Sequence, residues 1–221
     1  MLSGGRLNGE TEGDVPRSHT PALDVAQALA DRVGAQTVGL GPAPAEADTL
    51  ASVESPDLVQ RLHMMMKESD NVYAEAIGRE VADHVGIDAP SATLHVLAEH
   101  GFDTGGITLV DSSGLSVDNR ITPRMLDSIL SDATQHEQLR PMLDALPIAA
   151  GDGTLATRYG DLAGRGWVRA KTGTLDETSG LAGTVTAESG NVYTFALLSN
   201  DSDILEARRA MDTFASALRE F

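Results

Sequence analysis

The chain has 221 residues and 23.2 kDa, 41% of them apolar, and a formal charge of -17. That is enough chain for one domain with a real core, and so acidic a surface excludes DNA, RNA and anionic lipid, leaving a small molecule or a peptide as partner. The absence of cysteine rules out disulfides and thiolate chemistry. No run approaches the roughly 20 apolar residues of a membrane span, and the start, Met1-Leu2-Ser3-Gly4-Gly5-Arg6, has no secretory-signal core.

Residues 1–19, rich in Gly, Glu and Ser without an apolar period, read as a flexible tail. Thr20-Pro21 has the cap-and-proline form of a helix start, and Leu23, Ala26, Ala30 and Val33 follow at helical spacing up to Gly34. Residues 36–54 hold two short β-prone runs around the loop Gly39-Leu40-Gly41-Pro42-Ala43-Pro44. Ser55-Pro56 opens a helix with Leu58, Val59, Leu62, Met65 and Met66 on one side, and a second helix runs from Val72 to Val85. Between them lies Ser69-Asp70-Asn71.

Ser91 caps a helix to Gly101, Ile107–Val110 reads as a short strand, and Asp111-Ser112-Ser113-Gly114-Leu115-Ser116 as a turn. Thr122-Pro123 opens a further helix, Glu137 to Leu146 another, and Ala149-Ala150-Gly151-Asp152-Gly153-Thr154 is a loop. From Gly166 the pattern alternates, with Trp167, Arg169 and Lys171 on one face and Val168, Ala170 and Thr172 on the other. Strands at Leu181–Ala187 and Val192–Leu198 flank the hairpin signal Glu188-Ser189-Gly190-Asn191. An amphipathic helix with Ile204, Leu205, Met211, Phe214 and Leu218 closes the chain. Helices, then antiparallel strands, then a helix make an α+β domain.

The six histidines, including His84, His95 and His100, lack a metal-ligand spacing, so no metal site is expected. Met64, Met65 and Met66 read as core filling. Ser69-Asp70-Asn71 taken alone is a helix-capping cluster, and Lys171-Thr172-Gly173 taken alone is a strand running into a turn. Together they are two of the three motifs of penicillin-recognising serine acyl-transfer enzymes. The third, a serine followed three residues later by lysine, occurs nowhere in the chain.

A peptide ending in a carboxylate needs a cation and hydroxyls to hold it. Lys171 supplies the charge, Thr172 and Thr174 the hydroxyls, and Gly173 lets an extended peptide lie close along the strand edge. Ser69 can relay a proton to a leaving amine, Asn71 can hold an amide carbonyl, and the backbone near Thr174 can bind an oxyanion.

Four stretches carry a resemblance: Lys67-Glu68-Ser69-Asp70-Asn71-Val72-Tyr73-Ala74-Glu75, the turn at 111–116, Ala150-Gly151-Asp152-Gly153-Thr154-Leu155, and Arg169-Ala170-Lys171-Thr172-Gly173-Thr174-Leu175. From Thr20 to the C-terminus the chain resembles the D-alanyl-D-alanine carboxypeptidase/endopeptidase family of class C low-molecular-mass penicillin-binding proteins. The resemblance implies a fold like that of serine β-lactamases and penicillin-binding transpeptidases, with its N-terminal part lacking and residues 20–54 ending an inserted region. It implies catalytic roles for Ser69, Asn71 and Lys171 and substrate binding by Thr172, Gly173 and Thr174, with no cofactor. The partners implied are peptidoglycan stem peptides ending in D-Ala-D-Ala, and β-lactams for the complete, extracytoplasmic enzyme. Without the Ser-x-x-Lys serine, the expectation is a shortened form inactive by itself. The alternatives are a non-catalytic stem-peptide binding protein and a serine β-lactamase relative.

Overall fold

A computed structural model describes residues 4–10, 15–42, 45–46 and 48–221, in two compact units, Met1–Asp57 and Leu58–Phe221. In the first unit, helix α1 (Pro21–Val33) starts on a proline that needs no amide partner and ends at Gly34, whose φ of 74° lets its N–H bond Ala30 O. Thr20 occupies the N-cap position without a capping hydrogen bond from its side chain. In the stretch read as a tail, Arg6 and Arg17 form an antiparallel bridge, with Ser18 N–H donating to Gly5 O at 2.8 Å. The β-prone runs expected at 36–54 form no strand among the described residues, since nothing lies alongside to complete a ladder. Ala43 and Pro44 of the expected loop lie outside the described residues.

The second unit begins with α2 (Leu58–Glu68), α3 (Asn71–Val85) and α4 (Ala89–Glu99). The residue capping α4 is Asp88 rather than Ser91: its carboxylate accepts the Ser91 N–H at 3.0 Å, and Pro90 fits the first turn. Ile107–Val110 is not a strand but a single bridge, Thr108 to Arg120. Thr122 caps α5 (Pro123–Gln135) as its Ser/Thr-Pro signature foretells. The helix expected over 137–146 is split into a 3-10 turn, Glu137–Leu139, and α6 (Arg140–Asp144), because Pro141 has no N–H to continue the ladder across the junction.

Strands β1 (Val168–Leu175), β2 (Thr178–Thr186) and β3 (Val192–Ser199) form one antiparallel sheet in the order β1-β2-β3, with Lys171 opposite Ala182 and Gly173 opposite Gly180. The alternation read from the sequence holds: Val168 and Ala170 are fully buried, while Trp167 is half exposed beneath the Arg219 guanidinium. Val168, Ala170, Leu181, Val185 and Phe195 pack with Leu155, Tyr159 and with Met211 and Ala215 of α7 (Ile204–Ala217). Each large apolar side chain buried there contributes about 2 kcal/mol. Helix α5 packs against β2 and β3.

The inward stripe of α7 differs from the hydropathy reading. Leu205 and Phe214 are exposed, whereas Ala207, Asp212 and Ser216 are buried beside Met211 and Ala215. Small side chains let α7 approach the sheet, and Asp212 is buried because Arg158 holds it bidentately at 2.6 and 3.1 Å. Of the three consecutive methionines, Met64 is exposed and the other two are half-buried, so α2 has no fully buried residue. His95 pairs with Glu99, and His100 caps the end of α4.

Candidate active site

The Ser69-Asp70-Asn71 junction is shaped by two helix ends meeting. Asp70 N–H closes α2 on Met65 O at 3.1 Å, which puts Ser69 in the left-handed region with φ of 53°. Glycine or asparagine ordinarily takes that position, and serine there costs about 1 kcal/mol. Asp70, 8% exposed, then starts α3 by accepting the N–H groups of Val72 and Tyr73 at 2.9 and 3.2 Å. The capping reading of the tripeptide is therefore correct for its middle residue, and that cap holds the strained serine in place. Asn71 follows as the first residue of α3 and is exposed.

Strand β1 brings the second motif to the first. Lys171 Nζ donates to Ser69 Oγ at 2.7 Å, across 102 residues of sequence, and to Thr172 O at 2.8 Å. Among the described residues no carboxylate pairs with it. Burial disfavours the ammonium, and the Lys171 pKa falls to about 8. The Thr172 hydroxyl donates to Thr154 Oγ1 at 2.9 Å, and Arg208 of α7 donates to Thr174 Oγ1 at 2.8 Å.

Among the described residues, the outer edge of β1 makes backbone–backbone hydrogen bonds at its start only. Ala149 N–H donates to Val168 O and Ala170 N–H to Pro147 O, so antiparallel alternation turns the N–H and C=O of Thr172 and Thr174 outward too. Space is open over the strand at Gly173: a Cβ built there would meet nothing within 4 Å. The fold does not require glycine at 173, unlike at 153. Gly153 has φ of 54°, and a Cβ would stand 2.8 Å from Lys67 O.

Beside the pair sits a clamp. Lys67 Nζ donates to both Asp152 oxygens at 2.8 Å and to Leu146 O at 2.7 Å, and Asp152 Oδ1 also accepts Ile148 N–H at 2.8 Å. Burial raises the Asp152 pKa, but the Lys67 and Ile148 hydrogen bonds and the charges of Lys67 and Arg169 outweigh it and hold the carboxyl below its usual range. On the other side of α3, Glu75 accepts the Ser112 and Ser113 N–H groups at 3.0 and 2.9 Å. Gly78 makes room for that turn, since a methyl group there would overlap Ser112.

The structure thus joins Ser69 to Lys171, places Thr172 and Thr174 on the same strand with their hydroxyls bonded to Thr154 and Arg208, and leaves Asn71 at a helix start. Lys67, Asp152, Thr154 and Arg208 were given no role from sequence. One signal was available: the chain has two lysines in 221 residues, and both lie here.

A family model described as D-Ala-D-Ala carboxypeptidase 3 (S13) matches residues 5–218. Carboxypeptidase DacB of Mycolicibacterium smegmatis is 49% identical over 99% of this chain and 50% of its own length. A D-alanyl-D-alanine carboxypeptidase of Actinomadura sp. is 34% identical over 83% of this chain and 36% of its own. The chain therefore spans half or less of these relatives. Among solved structures, penicillin binding protein 4 from Haemophilus influenzae, complexed with a β-lactam, superposes with a TM-score of 0.77 at 26% identity, over 92% of this chain and 50% of that one. An ancestral class A β-lactamase shares the fold at a TM-score of 0.51 and 19% identity. From the matched family model, the relatives and the shared fold, the chain belongs to the D-Ala-D-Ala carboxypeptidase 3 (S13) family.

Proposed function

We propose that this chain carries the carboxylate-reading and leaving-group side of a D-alanyl-D-alanine carboxypeptidase site, acting on peptidoglycan stem peptides outside the cytoplasmic membrane. The observation that carries the reading is the 2.7 Å contact from Lys171 to Ser69 beside an open strand edge. An extended peptide ending in D-Ala-D-Ala adds alongside β1 over Gly173, using the outward N–H and C=O groups of Thr172 and Thr174. Its terminal carboxylate meets the Lys171 charge and the Thr174 hydroxyl, which are charge-assisted partners. Arg208 takes up a lone pair of the Thr174 oxygen, leaving that hydroxyl's proton for the substrate. Ser69 sits where it can pass a proton to the departing D-alanine amine, and Asn71, exposed at the start of α3, is assigned to a substrate carbonyl.

The acylated serine of such an enzyme, in Ser-x-x-Lys, has no counterpart in this sequence, and this favours reversible stem-peptide binding as the chain's own behaviour. β-Lactams present a carboxylate to the same cation and compete. Titrating the chain with an acylated D-Ala-D-Ala tripeptide tests the reading. Saturable binding, displaced by a β-lactam, absent for the L-Ala-L-Ala peptide and lost in Lys171→Ala, is expected. No saturation by the D-peptide, or equal binding of both stereoisomers, overturns it.

A further inference from the structure

We propose that Arg158 and Asp212 are positioning residues for the carboxylate-reading end of the cleft: their ion pair sets α7 at the height along β1 from which Arg208 reaches the Thr174 hydroxyl. This rests on the stem-peptide reading above for the ligand alone. The side-chain hydrogen bonds of the pair end on each other and on α7, not on β1.

Arg208 cannot place itself. It is partly exposed, and a long, flexible arginine keeps one hydroxyl contact only where its backbone is fixed. The buried stripe of α7 does not fix it along the helix axis, because Ala207, Met211 and Ala215 are small or pliable and hydrophobic contact has no direction. A slip of one helical turn, about 5.4 Å, would carry Arg208 out of reach of Thr174. The directional contact is the ion pair. Arg158 Nε and Nη2 donate to the two Asp212 oxygens at 3.1 and 2.6 Å, with side chains 16% and 10% exposed, and Nη2 also stands 3.5 Å from the Arg208 carbonyl oxygen. The guanidinium thus grips α7 at the residue that reaches Thr174 and one turn beyond it.

Arg158 is itself anchored. It closes the segment 152–158, in which Asp152 is held by Lys67, Thr154 accepts from Thr172, Leu155 is fully buried and the Arg158 N–H donates to Leu155 O at 3.0 Å. One short segment therefore places both hydroxyls of β1, Thr172 directly and Thr174 through α7. A buried ion pair adds little net stability over apolar residues of like size, so geometry is what this one contributes.

The test is a cycle of titrations of the whole chain with the acylated D-Ala-D-Ala tripeptide. Arg158→Met together with Asp212→Leu removes both charges, so neither is left buried alone and the fold is expected to hold, which a thermal melt checks. Affinity should fall about tenfold, the loss of one hydrogen bond to a carboxylate. In a Thr174→Val background the same double change should alter affinity by less than about twofold, since the hydroxyl it positions is gone. Arg158→Lys, which keeps the charge and drops the fork, is a second, milder variant with the same expected pattern. Undiminished affinity, or an equal fall in both backgrounds, overturns the proposal. Amide NMR shifts read the same link without a ligand: either variant should move the Thr174 and Arg208 resonances while Thr172 stays. If the wild type fails to bind peptide while those shifts move as stated, only the function above is refuted. Peptide binding with an unmoved Thr174 refutes only the positioning role.

Discussion

The two lysines of this chain stand beside the same helix end and have opposite fates. Lys67 closes α2 onto the 149–154 loop, with its ammonium shared between both oxygens of Asp152 and a backbone carbonyl. Lys171 is given a serine hydroxyl and a carbonyl, with burial that works against its charge. A lysine with a carboxylate is a fixed strut, because both charges are satisfied within the fold. A buried lysine without one is stored electrostatic potential, which a substrate carboxylate can relieve. The cleft needs both, since the strut fixes the loop that carries Thr154, the hydroxyl partner of Thr172.

The comparison breaks most clearly at Lys171. In Lys171→Met, affinity for a D-Ala-D-Ala peptide should fall by about a hundredfold, the loss of a charge-assisted contact worth about 2–3 kcal/mol. Calorimetric titration reads this directly, and a variant that binds normally would place the carboxylate elsewhere.

Stability should respond in the reverse sense. With a folded pKa near 8 against an ordinary 10.5, Lys171 is protonated more in the unfolded state between those values, so the chain gains stability as pH rises through that window. The difference between wild type and Lys171→Met in urea unfolding should therefore shrink by about 2 kcal/mol from pH 7 to pH 10.5, with the variant ahead at pH 7. A difference that is flat with pH would show Lys171 to be solvated.

The strut predicts an acid-side effect. Gly153→Ala, which pushes a methyl group at the Lys67 carbonyl, should cost about 2 kcal/mol, and Lys67→Met about 1 kcal/mol because the Asp152 side chain is 45% exposed and screened. Asp152 is depressed, so its contribution is present above the ordinary carboxylate range and disappears as pH falls through it. Unfolding midpoints from pH 7 to about pH 3 should show a drop in wild type that is smaller in Lys67→Met. If the two curves run parallel, the clamp contributes nothing.

The smallest change in the fold is expected at Gly173. An alanine there enters open space and should leave stability within about 0.5 kcal/mol, while weakening peptide binding by lying under the bound strand. A thermal melt beside a titration separates the two effects.

Much of this was written in local pattern. Thr122-Pro123, the alternation of Val168 and Ala170 against Trp167 and Arg169, and the hairpin at 188–191 are short-range choices of cap, period and turn, and they fold as read. The readings that failed required partners: the described residues of 36–54, and 107–110, have strand-like composition but no neighbour among the described residues long enough to ladder with. On α7, hydropathy favoured Leu205 and Phe214 over Ala207 and Asp212, and only the nearness of the sheet and the Arg158 ion pair invert that order.

The sequence by itself determined the α+β order, the family and the identity of the residues in the two motifs, because caps, periods and contiguous motifs are local properties of a chain. Only the tertiary structure decided which polar groups meet. Ser69 and Lys171 lie 102 residues apart, Lys67 and Asp152 lie 85 apart, and Thr174 and Arg208 lie 34 apart. Nothing in residue type says which lysine receives a carboxylate and which a hydroxyl. The packing of α2 and α3 against a strand and a loop makes that assignment, and burial turns it into a difference in chemistry.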